Sequence, residues 1–347
     1  MTAAHTHPPL ALLGAPGSPY TRKMIAALRY RRIPYAMHWG SHRNPPPGYP
    51  EPKVKLLPTV YFPAGNDFEA VTDSSPILRR LEREVEGRAL IPADPVLAFL
   101  DMLIEDYADE WLTKCMFHFR WAHQADIDNA GPLLIFWSEP TAPADVAQAL
   151  AAQISQRQID RLYVVGSNAT TAETIERSYV RLVAALDAVI QKRGYVLGAR
   201  PAAADFALYG QLTQLAIVEP TSAALTAATS RRVRAWIDRV EDLSGLEPHD
   251  GDWIGRAEAT ATLAPLLVEI GRVYAPFLLS NARAAMAGAA QVDAEIDGRA
   301  WTQPTFPYQA KCLVWIRDAY AALAAADRAA VDAILADTGC AALLQGA

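Results

Sequence analysis

The sequence predicts a small α/β layer followed by an all-helical region. Three observations carry that reading. Short apolar runs alternate with helical stretches over residues 10–90, strand signal almost vanishes beyond residue 95, and the remainder is rich in alanine at helical spacing. At 347 residues the chain is long enough for two domains and an appendage.

Leu10–Leu13 forms an apolar run of strand length. Ser18-Pro19 is a helix opening, since serine caps and proline tolerates the first turn. Met24, Ile25 and Leu28 then share one helical face, and the helix ends near Arg32. Residues 33–39 are a second strand candidate, followed by a proline-rich loop. Residues 57–62 and 68–72 flank the turn-rich Pro63–Asp67 and predict an antiparallel hairpin. Ser74-Ser75-Pro76 opens a helix that Gly87 closes, with Pro76 expected at its first position. Beyond a linker at 89–95, helical patterns cover about 96–125, 143–165, 170–192, 203–218 and 230–242. The stretch 253–347 is helical apart from 297–309.

Composition excludes several classes. A net charge of −6 argues against nucleic acid as a partner, and Arg29–Arg32, the densest basic cluster, is expected to be a solvated helix end. Cys115, Cys312 and Cys340 have neither disulfide nor metal-ligand spacing, which fits a reduced, cytoplasmic setting and no metal. The N-terminus lacks the basic start and apolar core of a signal sequence. The apolar stretch 263–280 is interrupted by Glu269, Arg272 and two prolines, so no membrane span is expected.

Four local sequences, in order, carry a family resemblance: Ser18-Pro19-Tyr20-Thr21-Arg22-Lys23, LLPTVYF around Pro58, VTDSSPILRRLE from Val71, and YVLGARPAAADFALYGQL from Tyr195. Together they resemble the glutathione transferase superfamily. The resemblance implies a thioredoxin-like N-terminal domain at 8–90 and an all-helical transferase domain at 96–245. It accounts for no part of the helical extension at 250–347.

The same resemblance implies a chemistry and a set of site residues. Glutathione is the co-substrate, a small electrophile the second substrate, and the protein a homodimer. Ser18 is the catalytic residue: a hydroxyl at a helix N-terminus favours thiolate over thiol. Tyr20 and Thr21 are alternative sources of that hydroxyl. Pro58 stands where the family has a cis-proline, exposing the Leu57 backbone to the peptide of glutathione, while Asp73 and Ser74 receive the γ-glutamyl group at a helix N-terminus. Where many members hold the glycyl end with a polar residue this chain has Leu56; Lys55, Arg22, Trp39 and His42 are the other candidates. Asp205 supplies half of a capping box whose usual hydroxyl is replaced by Ala202.

The helix expected over 99–126 carries two like-charge i, i+4 pairs, Glu105–Asp109 and Asp106–Glu110. Such acids can line a cleft, join His118 or His123 at a metal, or face arginines across a dimer. Trp111, Phe117, His118 and Trp121 lie on the helix that borders the electrophile pocket in the family. In the extension, the aromatic stretch 301–315 is expected to be an added packing layer rather than a cover for the cleft, with Cys312 buried and inert. The competing function is a non-catalytic binding or interaction module; redox work is disfavoured because residue 18 is not cysteine.

Overall fold

A computed structural model describes residues 9–42 and 45–345. Residues 43 and 44 of the proline-rich loop, residue 8 at the expected domain start, the last two residues of the extension, and nearly all of the N-terminal stretch that lacks signal-sequence character lie outside the described residues.

The first layer runs β1 (Leu10–Gly14), α1 (Pro19–Arg31), β2 (Tyr35–Trp39), β3 (Thr59–Ala64), β4 (Asp67–Thr72) and α2 (Ser74–Glu84). The sheet order is β2-β1-β3-β4. The α1 crossover makes β1 and β2 parallel, from Leu10↔Tyr35 to Gly14↔Trp39; β3 is antiparallel to β1 on one side and, through the hairpin, to β4 on the other. β1 is buried on both faces, which is why its sequence is a continuous apolar run rather than an alternation. Leu10 and Leu12 join Met24, Val60 and Ile77 in the main core, whereas Ala11, Leu13 and Tyr61 pack beneath Tyr49 and Phe68.

Ser18 caps α1, its Oγ accepting from the Thr21 amide at 3.2 Å, and Pro19 follows in the first turn. The other end is solvated only in part. Arg31 is buried and pairs with Glu82 on α2, Arg29 pairs with Glu241, and Arg32 with Glu247. Carboxylates from two other segments converge there, so the basic run clamps α1 in place.

The helical layer comprises α3 (Pro95–Glu110), α4 (Leu112–Ala122), α5 (Gln124–Ser138), α6 (Ala144–Ile159), α7 (Ala172–Arg193), α8 (Ala203–Thr213), α9 (Pro220–Thr229) and α10 (Arg231–Val240). The helix expected over 96–125 is therefore divided, with His123 extended (φ −112°, ψ 135°) between α4 and α5. Helix α5 continues through Gly131-Pro132, residues that argue for a loop. Close packing overrides propensity there: a Cβ on Gly131 would lie 2.6 Å from Ser155 Oγ of α6. Asp205 takes the amides of Ala202 (2.9 Å) and Val196 (3.0 Å) and so caps α8 without a hydroxyl at Ala202. Gly210 lets α8 cross α1 closely, since a Cβ there would meet Pro19 O at 2.4 Å.

The extension adds α11 (Arg256–Glu269), a π-turn, α12 (Ala275–Met286), β5 (Gln291–Ile296), β6 (Arg299–Pro304), α13 (Pro307–Ala321) and α14 (Ala325–Leu335). The hairpin β5–β6 corrects the helical expectation. Its turn is Asp297-Gly298, both at positive φ (55° and 70°), and its first strand alternates buried Val292 and Ile296 with exposed neighbours. The run Arg256–Met286 is long and apolar enough to cross a membrane, yet 61% of its apolar window is buried against the rest of the chain. Glu269 within it pairs with Arg181 of α7.

Candidate functional site

A cavity of about 610 Å³ opens between the sheet layer, α3 and the extension. Leu56 and Leu57 of the loop before β3 form one wall, Asp73, Ser74 and Ser75 at the head of α2 a second, and Asp106, Asp109, Glu110, Thr113 and Lys114 a third. The remaining wall is α13, through Tyr308, Gln309, Cys312, Trp315 and Ile316. The extension is thus not merely an added packing layer; it completes the cavity.

The Leu57–Pro58 bond is cis. Asp73 holds the α2 N-cap at φ 77°, accepts from the Ser75 amide at 3.3 Å, and so makes Ser74 rather than Pro76 the first helical residue. Ser74 is buried and lines the cavity; Asp73 takes the Ser75 and Ile77 amides and Pro76 has none, which leaves the Ser74 amide as the helix-start donor to an anion. The other Asp73 oxygen accepts from the Tyr308 hydroxyl at 3.0 Å, which ties the extension directly to this cap.

Sequence reasoning missed the network that holds these walls, centred on Lys23, which lies off the cavity. Lys23, fully buried, donates to Asp109 (2.6 Å), Glu105 (2.8 Å) and Ser75 (3.1 Å), and Arg79 donates to the other oxygen of Glu105 at 2.6 Å. Burial opposes ionisation of both carboxyls. At Glu105 the two cations Lys23 and Arg79 overcome it and hold the group below its ordinary range. Asp109 has Lys23 but also the charge of Glu105 beside it, and burial wins, raising its pKa. The signal was present in the like-charge pairs: Glu105 and Asp109 on one face of α3 require cations, and α1 and α2 supply them within this one chain.

The second pair, Asp106 and Glu110, lines the cavity as well, without a paired cation among the described residues. Burial pushes Asp106 up to about 7, although Tyr274 donates to it at 2.5 Å, and burial with the charges of Asp106 and Asp109 pushes Glu110 up to about 8. Burial lowers Lys114 to about 7; its Nζ reaches Val165 O (3.1 Å) and Gln303 Oε1 (3.2 Å) and lies 4.2 Å from the Phe277 ring centroid. Cys312 is buried and its thiol pKa is raised by burial.

Leu57, Asp73 and Ser74 meet on this cavity. Ser18 does not line it; it stays at the start of α1, while Tyr20 reaches the wall. The Tyr20 hydroxyl is engaged inward, donating to Asp109 O at 2.7 Å with Thr113 Oγ1 at 2.6 Å, and burial keeps its pKa well above the ordinary value. Trp111, Phe117, His118 and Trp121, expected at the electrophile pocket, do not line this cavity. Trp111 is buried against Phe277 and Trp301 with its Nε1 donated to Ser178 at 2.9 Å, Phe117 packs near buried Trp121, and His118 faces Glu176. The division at Trp111 and the inward apolar faces of α4 turn these side chains into the helical layer, so α3 and α13 form the pocket instead. Lys55 pairs with Glu51 at the surface and Trp39 is exposed; neither lines the cavity.

The glutathione S-transferase N-terminal domain family matches residues 12–89, and the C-terminal domain family matches residues 148–239. The chain belongs to the glutathione transferase superfamily. Similar solved structures include the beta-etherase LigF of Sphingobium sp. strain SYK-6, at 17% identity over 69% of this chain and 96% of that one, TM-score 0.47. The tau-class glutathione S-transferase of mango, Mangifera indica, is 17% identical over 74% and 98%, TM-score 0.41. A glutathione transferase homologue of Lodderomyces elongisporus, with two GSH per subunit, is 16% identical over 70% and 100%, TM-score 0.36. A search of curated protein sequences finds no match.

Proposed function

We propose that this protein binds glutathione in the cavity and activates its thiolate for attack on a small electrophile. One observation carries the reading: Leu57 and the adjacent pair Asp73–Ser74, from two segments of the chain, converge on one cavity at the N-terminus of α2. The γ-glutamyl carboxylate meets the Ser74 amide and hydroxyl, the amino group meets Asp73, and the peptide lies along Leu57. Ser18 accepts from the Thr21 amide and keeps its own hydroxyl hydrogen to donate to a sulfur anion beside the start of α1. The apolar part of the cavity, including Met102, Phe306, Trp315 and Ile316, receives the electrophile. A cytoplasmic homodimer belongs to the same proposal.

Calorimetric titration with glutathione tests it. Binding in the micromolar to millimolar range, weakened at least tenfold by Ser74→Ala, is the expected result; no binding at millimolar glutathione overturns it. A non-catalytic binding module is the second reading, favoured by the position of Ser18 off the cavity wall and by Tyr308 already bonded to Asp73. The two separate on Ser18→Ala: a transferase loses turnover of a chloronitrobenzene electrophile, whereas a binding module has none to lose.

A further inference from the structure

Away from this cavity, the end of α4, the start of α5 and the second turn of α7 bring His118, His123 and Glu176 together, with one ligand atom from each lying within 4.8 Å of the others. His118 Nε2 is 3.1 Å and His123 Nε2 3.2 Å from the same carboxylate oxygen, Glu176 Oε1. Around a tetrahedral zinc with bonds of 2.0–2.1 Å, neighbouring ligand atoms stand about 3.3–3.4 Å apart. Both distances come close to that edge.

Only one of the two contacts to Glu176 is a hydrogen bond. His123 Nε2 is buried yet has no hydrogen-bond partner among the described residues: it sits 3.2 Å from Glu176 Oε1 but off the line an N–H···O bond requires. His118 Nε2, by contrast, is in line to hydrogen-bond the same oxygen, so one edge of the metal-free set is closed by a bond that a metal would replace, and His123 Nε2 is left as an unused ligand atom beside it. The surroundings fix both rings. His118 Nδ1 lies 2.7 Å from Ser167 Oγ; in the tautomer that donates Nδ1–H to this hydroxyl, Nε2 is free of its proton and can take a metal in place of its bond to Glu176. The His123 ring stacks on Phe119 at 5.6 Å and 28°, and its extended backbone turns it back over the end of α4. His118 is buried, but His123 and Glu176 are partly exposed, which leaves an entry path and a fourth position for water.

We propose that His118, His123 and Glu176 form a binding site for a divalent metal of the zinc type, two imidazoles and one carboxylate with an open fourth position. The donor set suits zinc better than magnesium or calcium, which take oxygen ligands. Sequence spacing hides it because Glu176 lies more than fifty residues beyond either histidine and only the packing of α4 on α7 supplies it.

The test uses the full chain, stripped with chelator and then dialysed against zinc or cobalt(II) chloride. The expected result is one equivalent of zinc by elemental analysis, and with cobalt(II) the visible absorption bands of four-coordinate N/O ligation. His123→Ala and Glu176→Gln, checked for unchanged circular dichroism, are each expected to weaken zinc at least tenfold and to abolish the cobalt bands. No bound metal in the parent protein, or metal and cobalt bands retained in both variants, overturns the proposal.

Discussion

Replacing Lys23 by methionine tests the network behind the cavity most directly. The ammonium is buried, as are Glu105 and most of Asp109, with side-chain exposures of 1%, 2% and 11%. Removing one partner of a buried ion pair costs about 3–5 kcal/mol because a charge is left uncompensated. The structure places this variant at the lower end. Glu105 keeps Arg79 at 2.6 Å, whereas Asp109 keeps only the Ser75 hydroxyl at 3.0 Å. The expected loss is therefore about 3 kcal/mol at pH 8, or roughly 6 °C in Tm at about 2 °C per kcal/mol for a chain of this size. Because the Asp109 pKa is already raised, the carboxyl takes a proton readily in mild acid, and the loss at pH 5 is smaller. Lys23→Met combined with Asp109→Asn removes the stranded charge and recovers at least half of the stability. Urea unfolding at both pH values, followed by circular dichroism, measures all three. A loss under about 1 kcal/mol for the single variant, or no recovery in the double, refutes the assignment of Lys23 as the compensating charge.

Other perturbations probe the cavity and the packing around it. Asp106 has its pKa raised from the ordinary carboxyl range to about 7, so between about pH 4 and 7 the native state binds more protons than the unfolded one. Stability from this group is present below the lower value and declines as pH rises, by at most about 1.4 kcal/mol for each pH unit between the two values. Asp106→Asn is expected to flatten the fall in urea midpoint from pH 5 to pH 8, and an unchanged slope contradicts it. Tyr308→Phe frees the Asp73 carboxylate from its 3.0 Å bond to the extension. Calorimetry is expected to show glutathione bound more tightly by up to about tenfold; weaker binding would mean that Tyr308 contacts the ligand rather than competing with it. Gly210→Ala drives a Cβ to within 2.4 Å of the Pro19 carbonyl, a backbone atom that cannot swing away. The strain of about 1–3 kcal/mol exceeds the propensity gain of about 1 kcal/mol, so Tm falls, and a rise would refute the close crossing of α8 on α1.

Legibility in the sequence followed the range of the interaction. Local signals placed well: the buried run of β1, the Ser18-Pro19 start of α1, the hairpin of β3 and β4, and the Asp73–Ser74 entry to α2 each rest on residues a few positions apart. They depend on caps, turns and side-chain period, which neighbouring residues decide. One miss was local as well: the Asp297-Gly298 turn between alternating residues announced the β5–β6 hairpin, but the surrounding alanine bias outweighed it. Helix α5 was hidden for a different reason, since Gly131 and Pro132 argue for a loop until the contact with α6 is known.

From the sequence alone one could determine the order of most elements, the superfamily resemblance and the three residues that meet at the head of α2. Tertiary structure decided what those residues face. It brought Lys23 and Arg79 to the acids of α3, kept Ser18 off the cavity wall, turned Trp111 and His118 into the helical layer, and laid α13 across the opening so that Tyr308 reaches Asp73. The reason is physical. Caps and periodicity are properties of adjacent residues, while the pairing of a buried charge or the closing of a cavity is settled by segments up to 235 positions apart, whose approach only the packed core determines.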